Sequence, residues 1–241
     1  TMGYKGLFWA DGTSCIVAIL IFAIAVKEKK KSKFIDKKDP NHVLTHSVFK
    51  DKPFWIFLGT CLIAGILFFQ LFTTIPLYHK EQFNLTEFQS GLLLTLNGLM
   101  IFFLEMPLVN YIERRKINKI KVVTVGSLAM AVSLFLMLIN TWAGILIIMM
   151  LFMTVAEMFA FPFSNSIAMS RAPKGHEGRY MAIYTMSFSM AHILSANTGM
   201  QIIEHFGYQA NWFFMGILGL VGAALGFWVS KLVEAEKRFS S

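Results

Sequence analysis

Charge is scarce in this sequence: Asp, Glu, Lys and Arg make up 15% of its 241 residues, against 56% that are hydrophobic. A water-soluble domain of that composition would expose far too much apolar surface, so a soluble protein is excluded and an integral membrane protein is expected. Acids are scarcer than bases, 14 against 22, and the formal net charge is +8. The Lys and Arg residues gather in short segments between long apolar runs, which reads as membrane orientation and argues against a nucleic-acid partner. Cysteine is limited to Cys15 and Cys61, both inside apolar runs, where small packing residues are expected rather than a disulfide. No second His or Cys stands at metal-ligand spacing. There is also no Gly-x-Ser-x-Gly elbow, no His-Glu-x-x-His pair and no pair of membrane aspartates, so intramembrane hydrolysis is not expected and no metal or cofactor is called for. Met2-Gly3-Tyr4-Lys5 lacks the charged start, apolar core and cleavage site of a signal peptide, and with Thr1 in front the chain reads as cut from a longer one.

What the sequence does have is long apolar runs. One covers residues 12–26 and meets Lys27-Glu28-Lys29-Lys30-Lys31. Six more cover 54–78, 90–111, 122–139, 143–170, 180–204 and 212–232, each long enough to cross a hydrocarbon layer about 30 Å thick at about 1.5 Å per residue. Backbone polar groups must be satisfied internally there, so these runs are expected to be helices. Thr86-Glu87-Phe88-Gln89 has the capping-box pattern and marks the start of the second of the six. Twenty of the 22 Lys and Arg fall in residues 27–52, 113–121, 171–179 and after 230, leaving Lys5 and Lys80 for the other side. By the positive-inside rule this puts the basic 28–52 linker and the C-terminus in the cytoplasm. All five Trp lie near expected helix ends, where an amphipathic ring sits at headgroup level. Only isolated polar groups interrupt the runs, whereas a channel would favour repeated pore-lining polar stripes.

The arrangement of one helix, a basic linker and six more helices resembles the second half of a major facilitator superfamily transporter preceded by the last helix of the first half. Gly6-Leu7-Phe8-Trp9-Ala10-Asp11-Gly12 resembles the start of the sixth helix of its drug:proton antiporters, and Pro107-Leu108-Val109-Asn110-Tyr111-Ile112-Glu113-Arg114-Arg115 resembles a degenerate acidic-basic loop motif. Ala156-Glu157-Met158 with Pro162, followed by Ala172-Pro173 and Gly178-Arg179-Tyr180, is similar to the fourth and fifth helices of the second half in bacterial multidrug-efflux members. Asn110 stands where the loop motif prefers Asp, and Ala196-Asn197 replaces an expected Gly-Pro.

The resemblance implies an all-α fold of about seven transmembrane helices: residues 1–27 as the last helix of the first half, 28–52 as linker, and 53–241 as a six-helix bundle of two inverted three-helix repeats. It also implies a multi-pass protein of the plasma membrane that moves small amphipathic compounds by alternating access and proton-coupled efflux. Its partners would be a small-molecule substrate, protons, the lipid bilayer and the missing first half. A proton-coupled symporter for peptides or other nutrients stays open beside it.

Glu157 is the acid placed most deeply in an apolar run. A carboxyl there costs about 2.5–3.5 kcal/mol on insertion scales, so a partner, a proton or a cavity is expected with it. Phe161 and Asn165 follow at four-residue steps and Thr154 precedes by one turn, placing an acid, an aromatic ring and an amide on one helix face. Pro162 removes one helical hydrogen bond beside the acid and favours a kink there. The two readings of Glu157 are proton coupling and a structural acid held by a neighbouring helix. Glu105 is the second acid in an apolar run, with proton coupling on one side and an interaction with Arg114 and Arg115 on the other. His192, in the fifth helix of the bundle, is read as a proton relay or as a packing group. Gln70, Thr73 and Asn97 are candidate substrate contacts or inter-helix bonds. Phe68, Phe69, Phe159, Phe161 and Phe163 could wall a cation site or face core and lipid, and Met149, Met150, Met153 and Met158 could give an adaptable surface or simple packing.

Overall fold

The computed structural model describes Trp9, residues 12–14, 16–17 and 19–21, and residues 48–239 except 140 and 174. Cys15, most of the 28–52 linker and most of the motif around Trp9 lie outside the described residues. Contacts divide the chain into two units, Thr1–Thr45 and His46–Ser241. In the first, the described residues of the apolar helix Gly12–Ile21 (α1) are helical, and the Thr13 hydroxyl donates to the Trp9 carbonyl at 2.8 Å.

The second unit is built from helices alone among the described residues. A single turn, Val48–Lys50, leads into α2 (Lys52–Phe69), followed by α3 (Thr74–Phe83), α4 (Glu87–Arg114), α5 (Lys119–Leu136), α6 (Gly144–Arg171) and α7 (Glu177–Phe239). Five stretches, with α2 and α3 counted together, are long and apolar enough to cross a membrane by length and composition. This is an all-α, multi-pass membrane architecture.

Local chemistry sets the boundaries. Asp51 caps α2 by accepting the Phe54 amide at 3.2 Å, and Pro53 sits in the first turn, where no amide is required. The Thr86–Gln89 capping box forms as expected: the Thr86 hydroxyl accepts the Gln89 amide at 3.3 Å, and Gln89 Oε1 accepts the Thr86 amide at 2.9 Å.

The 54–78 run is not one straight helix. The Gln70 carbonyl receives the amides of Thr73, Thr74 and Ile75 at 3.3, 3.2 and 3.0 Å, which closes a turn between α2 and α3. Pro76, third in α3, falls in a first turn that needs no amide.

Helix α7 is two arms, 177–206 and 208–239, separated by Gly207 at φ 82°, ψ 174°. Neighbours along α2 give their directions. Ala191, Ser195 and Gly199 of the first arm lie against Gly65, Gln70 and Thr74, so numbering rises together. Leu225, Gly222 and Gly219 of the second arm lie against Gly59, Ile63 and Leu67, so numbering runs oppositely. The chain therefore reverses at Gly207, and α7 supplies two crossings. The expected 205–211 loop shrinks to a single residue in a backbone region that is essentially glycine-only. Gly207→Ala is expected to lower stability by about 1–3 kcal/mol, read as a lower unfolding midpoint in detergent. An unchanged midpoint would show that the turn does not need glycine.

Two apolar cores fill the bundle. One joins Leu67, Leu71, Met130, Leu134, Met149, Met150, Met153 and Trp212. The other joins Phe54, Phe57, Ile112, Ile120, Phe163, Tyr180 and Val229 at the opposite end. Met149, Met150, Met153 and Met158 are all buried, so these four pack in the bundle, whereas Met106, Met169, Met186, Met190 and Met200 are exposed. Helix α4 is the exception to close packing: Asn97 and Ile112 are its buried residues, while Phe102, Phe103 and Met106 are widely exposed.

The helix ends at the second core carry the bundle's charged bonds. Arg171 donates to Asp51 from Nε and Nη2, at 2.8 and 2.7 Å, and to Glu236 from Nη1 and Nη2, at 3.0 and 3.1 Å. The Tyr180 hydroxyl donates to Asp51 Oδ2 at 3.1 Å. Lys119 bridges Glu113 at 3.1 Å and Ser166 Oγ at 2.7 Å. The start of α2, the end of α6 and both ends of α7 therefore meet at one basic end of the bundle, as do the α4–α5 turn and the end of α6.

Candidate functional site

Helix α6 continues through Pro162 and brings three of the expected residues to one place. Glu157, Phe161 and Asn165 line an open groove of about 490 Å³, together with Pro162 from the same helix, Phe68 from α2, Glu105 from α4, and Tyr184, Thr185 and Phe188 from α7. The spacing of four residues that defined the face in the sequence is what delivers them together.

Glu157 is held from α4. The buried Asn97 amide donates from Nδ2 to Glu157 Oε2 and to Thr154 Oγ1, both at 3.0 Å, while the Thr154 hydroxyl donates to the Met150 carbonyl at 2.7 Å. Both amide hydrogens of Asn97 are engaged on α6, so this side chain fixes the carboxylate and joins two helices. It does not line the groove.

Glu105 faces the same groove and has no basic partner among the described residues. Arg114 donates to Asn110 Oδ1 at 3.1 Å, and Arg115 lies over the Tyr111 ring, 5.7 Å from its centroid. Among the described residues no direct bond joins Glu105 to these arginines, so the direct form of the structural reading from the sequence is not made. Nine residues of helix separate Glu105 from Arg114, about 14 Å.

The groove has aromatic walls. Phe68 and Phe161 meet edge to face at 4.8 Å, and Phe161 meets Phe188 at 5.4 Å. Tyr184 stacks its edge on Phe188 at 5.0 Å and shares a 2.8 Å hydrogen bond with Ser164. Among the described residues, no Lys, Arg or His lines the groove. Two carboxyls, an amide and four aromatic rings form a surface suited to a partly apolar cation.

Tyr184, Thr185 and Phe188 escaped the sequence reading. Their signal was the Tyr180, Tyr184, Phe188 repeat, which resembles ordinary core periodicity. The remaining candidates lie elsewhere. The Gln70 amide is fully buried, donating to the Ser195 carbonyl at 3.0 Å and its hydroxyl at 2.9 Å; its oxygen accepts from Thr74 and, at 3.4 Å, from Asn211. It knots α2 and α3 to both arms of α7. The Thr73 hydroxyl donates to the Phe69 carbonyl at 3.0 Å. His192 is exposed on α7 with its ring 4.6 Å from Phe69. None of these three lines the groove. Phe163 is buried and Phe159 packs beside it.

A family model described as Major Facilitator Superfamily matches residues 1–196 and 121–241, which together cover the whole chain. Among curated proteins, the chain is 24% identical over 183 residues to the uncharacterized MFS-type transporter YttB of Bacillus subtilis (strain 168), covering 76% of this chain and 46% of that protein. It is 21% identical over 201 residues to a Na(+), Li(+), K(+)/H(+) antiporter of Planococcus maritimus, covering 78% of this chain and 47% of that protein. The chain spans about half the length of the curated relatives it matches.

Proposed function

Since the chain belongs to the Major Facilitator Superfamily, we propose that it supplies one wall of a secondary transport pathway in which a small amphipathic cation exchanges with protons at the Glu157 groove. The observation that carries this reading is the pairing of Glu157 and Glu105 in one groove with aromatic walls and, among the described residues, no basic group. A carboxyl in such a place holds either a proton or a cation, since burying it charged and unpaired is costly. Competition between the two occupants couples their movements. Helices beyond this chain supply the other half of the pathway. Residues 1–27 belong with that half, 28–52 link the two, and the basic end of the bundle faces the cytoplasm of the cell's plasma membrane.

A second reading, exchange of alkali cations for protons, is favoured by the two carboxyls and by the named activity of the Planococcus relative. The aromatic walls favour the organic cation, because alkali ions gain more from oxygen ligands than from rings. Proteoliposomes holding the full transporter and a pH-sensitive dye separate the readings. A lipophilic organic cation is expected to drive proton flux, and an uncharged compound of the same size is not. Flux driven by Na(+) or K(+) alone would select the second reading, and flux driven by neither would overturn both.

A further inference from the structure

A second cavity, of about 720 Å³, opens at the basic end of the bundle between the start of α2, the α4–α5 turn, the end of α6 and the second arm of α7. The transport groove shares no residue with it. Its floor is apolar: Phe57, Ile120, Ile167 and Val229 all contribute and all are buried within the bundle. Its rim is basic. Lys119 is anchored at the mouth by Glu113 and Ser166. Lys116, in the left-handed turn at φ 52°, lines the same cavity and makes no ion pair among the described residues. Arg171 also lines it but is committed to Asp51 and Glu236. Glu113 is the one acid on the lining among the described residues and is bonded to Lys119. The first turn of α5 adds partial positive charge, since Asn118 caps only the Ile120 amide.

We propose that this cavity binds an anionic phospholipid, its phosphate headgroup at Lys116 and Lys119 and the upper part of an acyl chain against the Phe57–Val229 floor. The shared chemistry is a phosphate-bearing anion. The apolar floor selects the lipid over a free phosphate, which would gain nothing from it. The place in the fold agrees: the cavity lies where the spans end, at the level of the headgroups, and basic cavities between transmembrane helices are suited to such lipids. An occupant there would bridge α2, α5, α6 and α7 at the end where their charged bonds already converge.

The test is native mass spectrometry of the purified protein in non-ionic detergent, with phosphatidylglycerol or phosphatidylcholine added. Phosphatidylglycerol is expected to be retained about tenfold more than phosphatidylcholine, and Lys116→Gln with Lys119→Gln to remove most of that excess, whereas Lys116→Arg with Lys119→Arg keeps it. Millimolar inorganic phosphate or glycerol phosphate is expected not to displace the lipid. Should the Gln pair fail to fold, acetylation of the wild-type protein in nanodiscs decides: Lys116 is expected to be protected in phosphatidylglycerol relative to phosphatidylcholine, while Lys80 at the opposite end reacts equally in both. Equal retention of the two lipids, full retention by the Gln pair, displacement by free phosphate, or equal labelling of Lys116 would each overturn the proposal.

Discussion

Glu157→Gln is expected to lower substrate-driven proton flux by at least about tenfold in proteoliposomes holding the full transporter, with little change in the amount of folded protein. The substitution separates charge from shape. Gln offers Asn97 an acceptor in the same position, so the 3.0 Å bond that joins α4 to α6 survives. What disappears is the negative charge and the site for an exchangeable proton. A unit charge about 4 Å from a bound cation is worth about 4 kcal/mol at an effective dielectric near 20. Desolvation of both groups returns part of that, which still leaves more than the 1.4 kcal/mol that makes a factor of ten. Asn97→Ala should act in the same direction but through position, loosening the carboxyl without removing it. Proton-driven transport that persists unchanged in Glu157→Gln would refute the coupling role and leave the structural reading of this acid.

The transmembrane count was readable because hydropathy and length are strong signals in a bilayer, and Thr86 with Gln89 announced a boundary through their own side chains. The groove was partly readable for a similar reason. Glu157, Phe161 and Asn165 share a helix face because four residues make slightly more than one turn. His192, read as a proton relay or a packing group, is exposed on α7 with its ring 4.6 Å from Phe69 and does not line the groove.

Gln70 was left between a substrate contact and an inter-helix bond because its partners are invisible locally: Ser195 and Asn211 lie 125 and 141 positions away. A polar residue in an apolar run announces that it needs partners, but not whether those partners are protein or cargo. Glu105 shows the converse, since its nearest arginines in sequence are bonded within their own helix end. The reversal at Gly207 falls inside the polar 205–211 gap that separates two apolar runs in the sequence. What spacing could not show is that a single glycine makes the turn while helix continues on both sides of it.

The other large effect is expected at the basic end, where Arg171 holds four helix ends through two carboxylates. Arg171→Gln should destabilise the bundle by about 2–3 kcal/mol, seen as a lower unfolding midpoint in detergent. Most of that loss comes from Asp51. Its side chain is 13% exposed and would keep only the Phe54 amide and the Tyr180 hydroxyl as donors. The Glu236 side chain is 47% exposed, so water replaces much of what its pair supplied and the contribution there is at most about 1 kcal/mol. The cost of the single substitution is therefore chiefly that of an anion left unpaired. Adding Asp51→Asn should restore part of the stability, because Asn caps a helix about as well as Asp and leaves no stranded charge. A double variant less stable than Arg171→Gln alone would show that the pair, rather than the stranded charge, sets the loss. Under the proposed function the connection is mechanical. Alternating access by rocking of one bundle against another requires each bundle to move as a unit, and these bonds fasten α2, α6 and α7, three of the four helices that line the Glu157 groove.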